Sequence, residues 1–176
     1  LQVSELARSL GTSEPTARRY LDILCGTYVV RQLPPWFENL KKRQVKSPKV
    51  YIRDSGILHA LLGIPDPENL ESHPKLGASW EGFAAEQIFS IVGDRDAYFW
   101  ATHAGAELDL LLFHRGKRLG VEFKYTEKLE TSKSMHIATT DLQLDHLHIV
   151  HPGKHSFSLT EKISASPLPK LLELLQ

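Results

Sequence analysis

The stretch ELDLLLFHRGKRLGVEFK, residues 107–124, predicts the centre of the fold. Its pattern indicates two β-strands, Glu107 to Phe113 and Arg118 to Lys124, joined by a tight turn that contains glycine. Side chains alternate along a strand, so Glu122 and Lys124 lie on the same face of the second strand. Charged side chains on strands this rich in leucine need a chemical reason.

Asp109 is a further charged side chain in an apolar context, because it lies between leucines on the first strand. Burying a carboxylate is costly unless a cation compensates it. Two carboxylates can hold Mg²⁺, or Mn²⁺, through oxygen ligands, and a lysine can orient or deprotonate the water that attacks a phosphodiester. We therefore predict Asp109 and Glu122 as metal ligands and Lys124 as a catalytic residue. The alternative is a solvated strand face with a cross-strand lysine–carboxylate pair.

A further acid is expected from the amphipathic helix predicted between Leu76 and Ile91. Glu81 and Glu86 lie five positions apart on it, roughly 140° around the axis, so they cannot both face one site. We predict Glu81 as the assisting catalytic residue. The alternative is a surface glutamate near a helix start.

Two other features leave alternatives open. Glu107 shares the strand face of Asp109. It is a further ligand, a charge that tunes the site by repulsion, or a salt-bridge partner of Arg118 across the hairpin. His146 and His148 alternate on a later strand, which is compatible with a zinc site, although the other spacings match no zinc motif.

Composition places the chain among ordinary globular proteins: 176 residues, 41% hydrophobic and 24% charged. No apolar run approaches the roughly 20 residues that span a bilayer, and no signal peptide is recognisable, so we expect no membrane partner. Cys25 is the only cysteine, which favours a reducing cytoplasm. The chain starts at Leu1 within a helical pattern, and we expect a fragment of a longer protein.

Charge is divided unevenly along the chain. Residues 1–64 contain ten Lys or Arg against five Asp or Glu, a net charge of +5, and the remainder contains eleven against sixteen, a net charge of −5. This division indicates two units with different electrostatic roles.

The front unit has the pattern of a helix-turn-helix followed by a wing. A short helix ends at Gly11, and Ser13 caps a second helix from Glu14 to about Cys25. Ala17, Tyr20, Leu21 and Leu24 are predicted to be its buried side chains. Two strand-like runs, residues 28–33 and 49–53, then bracket a basic loop.

We predict that the second helix and the basic loop contact DNA phosphates and grooves, with Trp36 and Phe37 as aromatic support. The predicted DNA-binding residues are Thr16, Arg18, Arg19, Lys41, Lys42, Arg43 and Lys46. A protein-interaction domain of the same shape is the alternative for the helix pair, and a solvated loop that pairs with an acidic partner is the alternative for the basic segment.

A proline-rich and acidic segment, residues 65–74, reads as a linker between residues 1–64 and residues 75–176. After it come a helix, three strands in a meander, a helix and a strand, the last being His146 to His151. The fold class is thus α/β of the α+β type, with the back unit in the order αβββαβ. A closing helix is expected from Pro167 to Gln176.

This order, with Asp109, Glu122 and Lys124 on its second and third strands, resembles the PD-(D/E)xK nuclease superfamily, which includes restriction endonucleases. Leu108 stands where the superfamily often has proline. The resemblance implies a restriction-endonuclease-like fold and a metal-dependent nuclease site, with Glu81 at the position of the superfamily's helical acid.

Taken end to end, the chain is also similar to the C-terminal region of a family of bacterial and archaeal AAA-type ATPases. The segments that carry this are ELARSLGTSEPTARRYLDIL, LPPWFENLKKRQVKSPKVYIRDSGILHALLG, GASWEGFAAEQI, GAELDLLL and GVEFK. The resemblance implies a winged helix, then a nuclease-like domain of unknown function, with an N-terminal ATPase domain as partner. No phosphate-binding G-x-x-x-x-G-K-[ST] motif occurs here, so we expect no ATPase activity from this segment.

Three functional hypotheses follow: a Mg²⁺-dependent DNA phosphodiesterase, a catalytically silent nuclease-fold module that interacts with or regulates the ATPase, and a winged-helix transcription regulator.

Overall fold

The computed structural model describes residues 3–38, 43–126 and 128–176. These residues form a mixed α+β structure with one two-stranded and one six-stranded sheet. The helices are α1 (Val3–Ser9), α2 (Glu14–Gly26), α3 (Ser55–Leu61), α4 (Pro67–Glu71), α5 (Leu76–Val92), α6 (Lys133–Asp141) and α7 (Leu168–Leu175). The strands are β1 (Val30–Leu33), β2 (Lys49–Ile52), β3 (Ala97–Ala101), β4 (Glu107–His114), β5 (Lys117–Phe123), β6 (His146–His151), β7 (Phe157–Ser158) and β8 (Ile163–Pro167).

The front of the chain pairs α1 with α2 and then β1 with β2, as the sequence predicts. Ser13 accepts a hydrogen bond from the Thr16 N–H and so caps α2. Ala17 and Leu21 are its buried residues. The prediction that Tyr20 and Leu24 are buried is wrong, because both side chains are exposed. Ala17 and Leu21, one turn apart, form the buried stripe of the helix, and the Tyr20 side faces solvent.

The six-stranded sheet has the order β3-β4-β5-β6-β8-β7. β3, β4 and β5 form the predicted antiparallel meander, and β6 and β8 continue the sheet in parallel. The short strands β7 and β8 were not predicted, and α4 lies within the segment predicted as a linker. β8 reads ISASP, whose small and polar residues give little apolar signal, yet Ile163, Ala165 and Pro167 are all buried.

Helices cover both faces of this sheet. One apolar core lies between the sheet and α5 with α7 and includes Ile88, Leu110 and Leu171. The other lies on the α6 side and includes Trp100 and Leu147. The sheet is therefore the middle of three layers. Most strand residues are buried, whichever face of the sheet they point to.

The tight turn predicted between β4 and β5 consists of two residues, Arg115 and Gly116. Arg115 and Gly116 both have positive φ, 50° and 74°, as the favoured two-residue hairpin turns require. The turn sets a register that pairs His114 with Lys117 and, at the far end, Leu110 with Val121. Beyond that pair the Asp109 carboxylate accepts a hydrogen bond from the Phe123 N–H at 3.2 Å.

A β-bulge lies in β4 at the same place. Trp100 pairs with Leu108 and Tyr98 with Leu111, so β4 uses one more residue than β3 over this interval. Leu108 and Leu111 both pack in the α6 core, whereas Leu110 packs in the α5 core. The bulge therefore interrupts the alternation around Asp109, and bulges of this kind redirect a side chain.

The loop between β1 and β2 borders the sheet beside β3. Backbone hydrogen bonds join Trp36 N to Phe99 O at 2.7 Å and Val45 N to Ala101 O at 2.9 Å. They cover an edge that would otherwise present unpaired groups. The Trp36 ring packs against Tyr98, with the ring centroids 5.0 Å apart, so this residue is part of the packing and not a free aromatic support for phosphates.

Ion pairs connect the front unit, through Arg31 and Arg53, to Glu86 of α5. The buried Arg31 guanidinium hydrogen-bonds both carboxylate oxygens of Glu86 and one oxygen of Asp94, and it lies 4.5 Å from the centre of the Phe89 ring. Arg53 donates to Glu86 at 3.2 Å. Burial disfavours the charged form of Arg31, yet hydrogen bonds to Glu86 and Asp94 raise its pKa.

In the described part of the chain, no helix combines the length and apolar character needed to cross a membrane.

Candidate functional site

Three acids and two lysines meet where α5, β2 and the ends of β4 and β5 come together. Glu81 comes from α5 and Asp109 from the bulge of β4. Glu122 lies near the end of β5, and Lys124 follows it. The second lysine is Lys49, the first residue of β2.

Lys49 lies between two of the acids. Its Nζ is 2.8 Å from Asp109 Oδ1 and 2.9 Å from Glu81 Oε1, within hydrogen-bond distance of both. Burial would lower the pKa of Lys49, but the attraction of Asp109 and Glu81 outweighs burial and raises that pKa above its ordinary value. The ammonium group therefore stays charged and compensates both carboxylates.

Tyr51 completes the contact with Glu81. Its hydroxyl donates to Glu81 Oε1 at 2.6 Å, so this oxygen accepts from both Tyr51 and Lys49. Burial, followed by the negative charge of Glu81, raises the pKa of Tyr51. The phenol is thus a hydrogen-bond donor and not an anion at neutral pH.

Glu122 is the most buried acid of the site, with 4% of its surface exposed. Burial and then the neighbouring Asp109 raise its pKa to about 8, while Lys124 and Lys49 act in the opposite direction. Lys124 Nζ lies 3.5 Å from Glu122 Oε2, and the Lys124 side chain is 45% exposed. Near neutral pH, Glu122 is therefore largely protonated, and Lys124 lies at the mouth of the site.

All four predicted catalytic residues thus belong to one cluster: Glu81, Asp109, Glu122 and Lys124. Sequence reasoning also separated Glu81 from Glu86, which pairs with Arg31 and Arg53 instead. It missed Lys49 and Tyr51. The sequence signal that could have found them is the strand KVYI. Lys49 and Tyr51 lie two positions apart on it and therefore point to the same face.

Glu107 does not form the salt bridge considered for it. Arg118 instead bonds to Glu38 at 2.7 Å and to the Leu142 carbonyl at 2.9 Å. Glu107 is exposed at the start of β4, whereas Arg118 pairs with Phe113 near its other end. The strand register keeps the two side chains apart.

The predicted metal ligands Asp109 and Glu122 are neighbours, but a cation of the chain itself already contacts Asp109. Carboxylate oxygens are the ligands that Mg²⁺ prefers, but Lys49 occupies one oxygen each of Glu81 and Asp109. Within residues 3–38, 43–126 and 128–176, no group of three His, Cys, Asp or Glu side chains is arranged to hold a metal ion. An ammonium group and a divalent cation would repel each other at the same oxygens.

The predicted DNA-binding residues are spread over two places. Arg18 and Arg19 are exposed on α2, and Thr16 Oγ1 is 2.9 Å from Ser13 Oγ. Arg43 and Lys46 are exposed and line an open cleft of about 530 Å³ together with Phe37 and His103. Lys41 and Lys42 lie outside the described residues.

Two histidines of β6, His146 and His148, pack ring against ring, and both contact the Ser164 hydroxyl. His146 Nε2 is 2.8 Å from Ser164 Oγ, and the His146 and His148 ring centroids are 4.6 Å apart. Burial, and then the proximity of His146, lower the pKa of His148 to about 4. His148 is therefore neutral near pH 7.

Fold and site together define a class of mixed α+β chain in which a buried carboxylate cluster is compensated by a lysine from a separate sheet. Residues 76–171 match a family described as a domain of unknown function, DUF4143, and residues 1–68 match another, DUF8612. Because the first match covers more than half of the chain, this chain belongs to the DUF4143 family.

Relatives occur in mycobacteria. The chain is 52% identical over 169 residues to the uncharacterized protein Rv2008c of Mycobacterium tuberculosis and to the uncharacterized protein Mb2031c of Mycobacterium bovis. The match covers 96% of this chain but only 38% of the length of each relative. No solved structure matches the chain.

Proposed function

We propose that this chain is a catalytically silent, nuclease-like module that acts by binding within a larger AAA-type ATPase. The observation that carries the proposal is the Lys49 ammonium group, which donates to both Glu81 and Asp109. In the predicted nuclease site Asp109 would hold the metal ion and Glu81 would assist, so both carboxylates would have to be free. Here an internal cation engages them.

The arrangement of elements supports the nuclease-like part of the proposal. A helix, a three-strand antiparallel meander, a helix and a parallel strand follow one another in α5, β3 to β5, α6 and β6. The PD-(D/E)xK superfamily has this order, with its acids at positions that correspond to Asp109 and Glu122. Fold alone does not give an activity, so the proposal of a silent module rests on the chemistry of the cluster.

Exposed apolar side chains support a role in binding. Ile23 and Leu24 lie three and four positions after Tyr20 on α2, and all three side chains are exposed. Contiguous exposed apolar surface is typical of sites that contact another protein. The partner that the family resemblance suggests is the ATPase domain of the same full-length protein.

We expect no cleavage of supercoiled plasmid by the chain in Mg²⁺ or Mn²⁺, measured by gel electrophoresis over hours. Glu122→Ala and Lys124→Ala, the matched controls, should give the same background as the wild-type chain. Cleavage by the wild-type chain that disappears in both variants would contradict the silent module and support the metal-dependent phosphodiesterase.

DNA binding is a second candidate function, favoured by the distribution of cations. Arg31, Lys49 and Arg53 pair with acids of the back unit. In contrast, Arg18 and Arg19 are exposed on α2. Exposed arginines on a helix can contact phosphates and grooves of a duplex.

If α2 contacts DNA, affinity for a labelled duplex should fall steeply between 50 and 200 mM salt, as counterion release requires, with roughly one unit of slope per phosphate contact. Fluorescence anisotropy measures this. Arg18→Ala with Arg19→Ala should lower the slope by about two, whereas Lys170→Ala, an exposed lysine paired with Glu173 on α7, should not change it. Equal affinity at both salt concentrations would exclude the phosphate contacts.

A further inference from the structure

We infer that Lys49 is a built-in substitute for the divalent cation of nuclease-like sites, so that a Mn²⁺ site exists at Glu81 and Asp109 only when Lys49 is removed. The inference rests on the proposed function, because it gives the reason why the module would be silent. It makes a separate claim, since it concerns affinity for a metal ion and not cleavage of DNA.

The position of Lys49 corresponds to a bridging cation. One ammonium group bonds to Asp109 Oδ1 at 2.8 Å and to Glu81 Oε1 at 2.9 Å, and these oxygens come from different elements, β4 and α5. Joining oxygens of separate elements is what a bound metal ion does in such sites. The lysine side chain is 25% exposed, so water competes only partly for these contacts.

Strand pairing and an ion pair position the backbone that carries Lys49. Lys49 pairs with Leu33 in the β1–β2 sheet. The same sheet is fastened to α5 through Arg31, whose partner is Glu86. The ammonium group is therefore positioned by the fold, in contrast to Lys124, which extends from the end of β5 and is 45% exposed.

Charge counting gives the consequence of removing Lys49. The cluster contains Glu81, Asp109 and Glu122 against Lys49 and Lys124. In Lys49→Met, two carboxylates lose the cation that bonds to them, while the methionine keeps most of the side-chain volume. Hard oxygen donors without a cation are a favourable environment for Mn²⁺.

Isothermal titration calorimetry with MnCl₂ tests the inference. We expect Lys49→Met to bind Mn²⁺ at least tenfold more tightly than the wild-type chain. Lys46→Met, which removes an exposed lysine three residues earlier, should behave like the wild type. Equal affinity of the wild-type chain and Lys49→Met would overturn the inference.

A thermal measurement covers the case in which Lys49→Met folds poorly. We expect MnCl₂ to raise the melting temperature of Lys49→Met, or to permit its folding, and to leave that of the wild-type chain unchanged. The double variant Lys49→Met with Asp109→Asn should lose the response to Mn²⁺. A rise of the wild-type melting temperature equal to that of Lys49→Met would contradict the role of Lys49, even if no variant cleaves DNA. Conversely, cleavage by the wild-type chain would contradict the silent module by itself.

Discussion

Replacing Glu86 by alanine is expected to lower the free energy of unfolding by about 3 kcal/mol, because it removes the buried carboxylate that pairs with the buried Arg31 guanidinium. Glu86 accepts hydrogen bonds from both Arg31 and Arg53. The Arg31 side chain is only 7% exposed, so water cannot replace the lost carboxylate. The loss should affect the attachment of the front of the chain to α5 first.

Urea denaturation of the wild-type chain and the variant measures this effect. The matched control is Asp94→Ala, which removes the other acid bonded to Arg31. Asp94 is 62% exposed, and exposed ion pairs contribute about 1 kcal/mol or less. If both variants lowered the free energy of unfolding equally, the buried Arg31–Glu86 pair would contribute no more stability than the exposed Arg31–Asp94 pair.

These ion pairs give a physical meaning to the uneven charge of the sequence. The basic front and the acidic back indicated two units with different electrostatic roles. Arg31, Lys49 and Arg53 from the front each contact acids of the back. Part of the charge division therefore holds the chain together, and composition alone could not distinguish this from attraction to an external partner.

Local patterns predicted the central hairpin well. Apolar runs on either side of the turn predicted the strands, and in the structure the two-residue turn of Arg115 and Gly116 sets their register. The bulge at Asp109 could not be predicted from the sequence LDLLL, because every neighbour is leucine and no residue marks the position where alternation breaks. The bulge depends on pairing with β3, a tertiary contact.

Sequence patterns brought together only part of the candidate cluster, because the rest of it also depends on tertiary contacts. Spacing along adjacent strands related Asp109 to Glu122, and helix position selected Glu81. Lys49 was missed because it lies 60 residues from Asp109 along the chain, and no local pattern indicates which carboxylate a distant lysine will reach. It was instead assigned to the wing of a front unit, and the packing of β2 on the site is a property of the tertiary structure.

Glu122→Gln is expected to remove a pH dependence of stability that the wild-type chain has between about pH 4.5 and 8. Burial, then the proximity of Asp109, raises the pKa of Glu122 from its ordinary value of 4.5 to about 8. Between these values the folded chain holds a proton that the unfolded chain has released. The stabilisation is therefore complete below pH 4.5 and is lost as the pH rises through 8.

Between pH 5.5 and 8.5 the loss should amount to about 3 kcal/mol, since each pH unit in which the folded chain holds this extra proton corresponds to about 1.4 kcal/mol. Urea denaturation at pH 5.5 and 8.5 measures it, and the informative quantity is the change in the wild-type chain minus the change in Glu122→Gln. His148, whose lowered pKa makes the folded chain less stable as the pH falls from about 6.5 towards 4, contributes equally to both proteins and cancels in this difference. Glutamine keeps the size of the side chain and an N–H donor toward Asp109, so the variant should fold. Parallel pH dependences of the two proteins would mean that Glu122 is already ionised in the folded chain, with Lys124 and Lys49 together outweighing its burial.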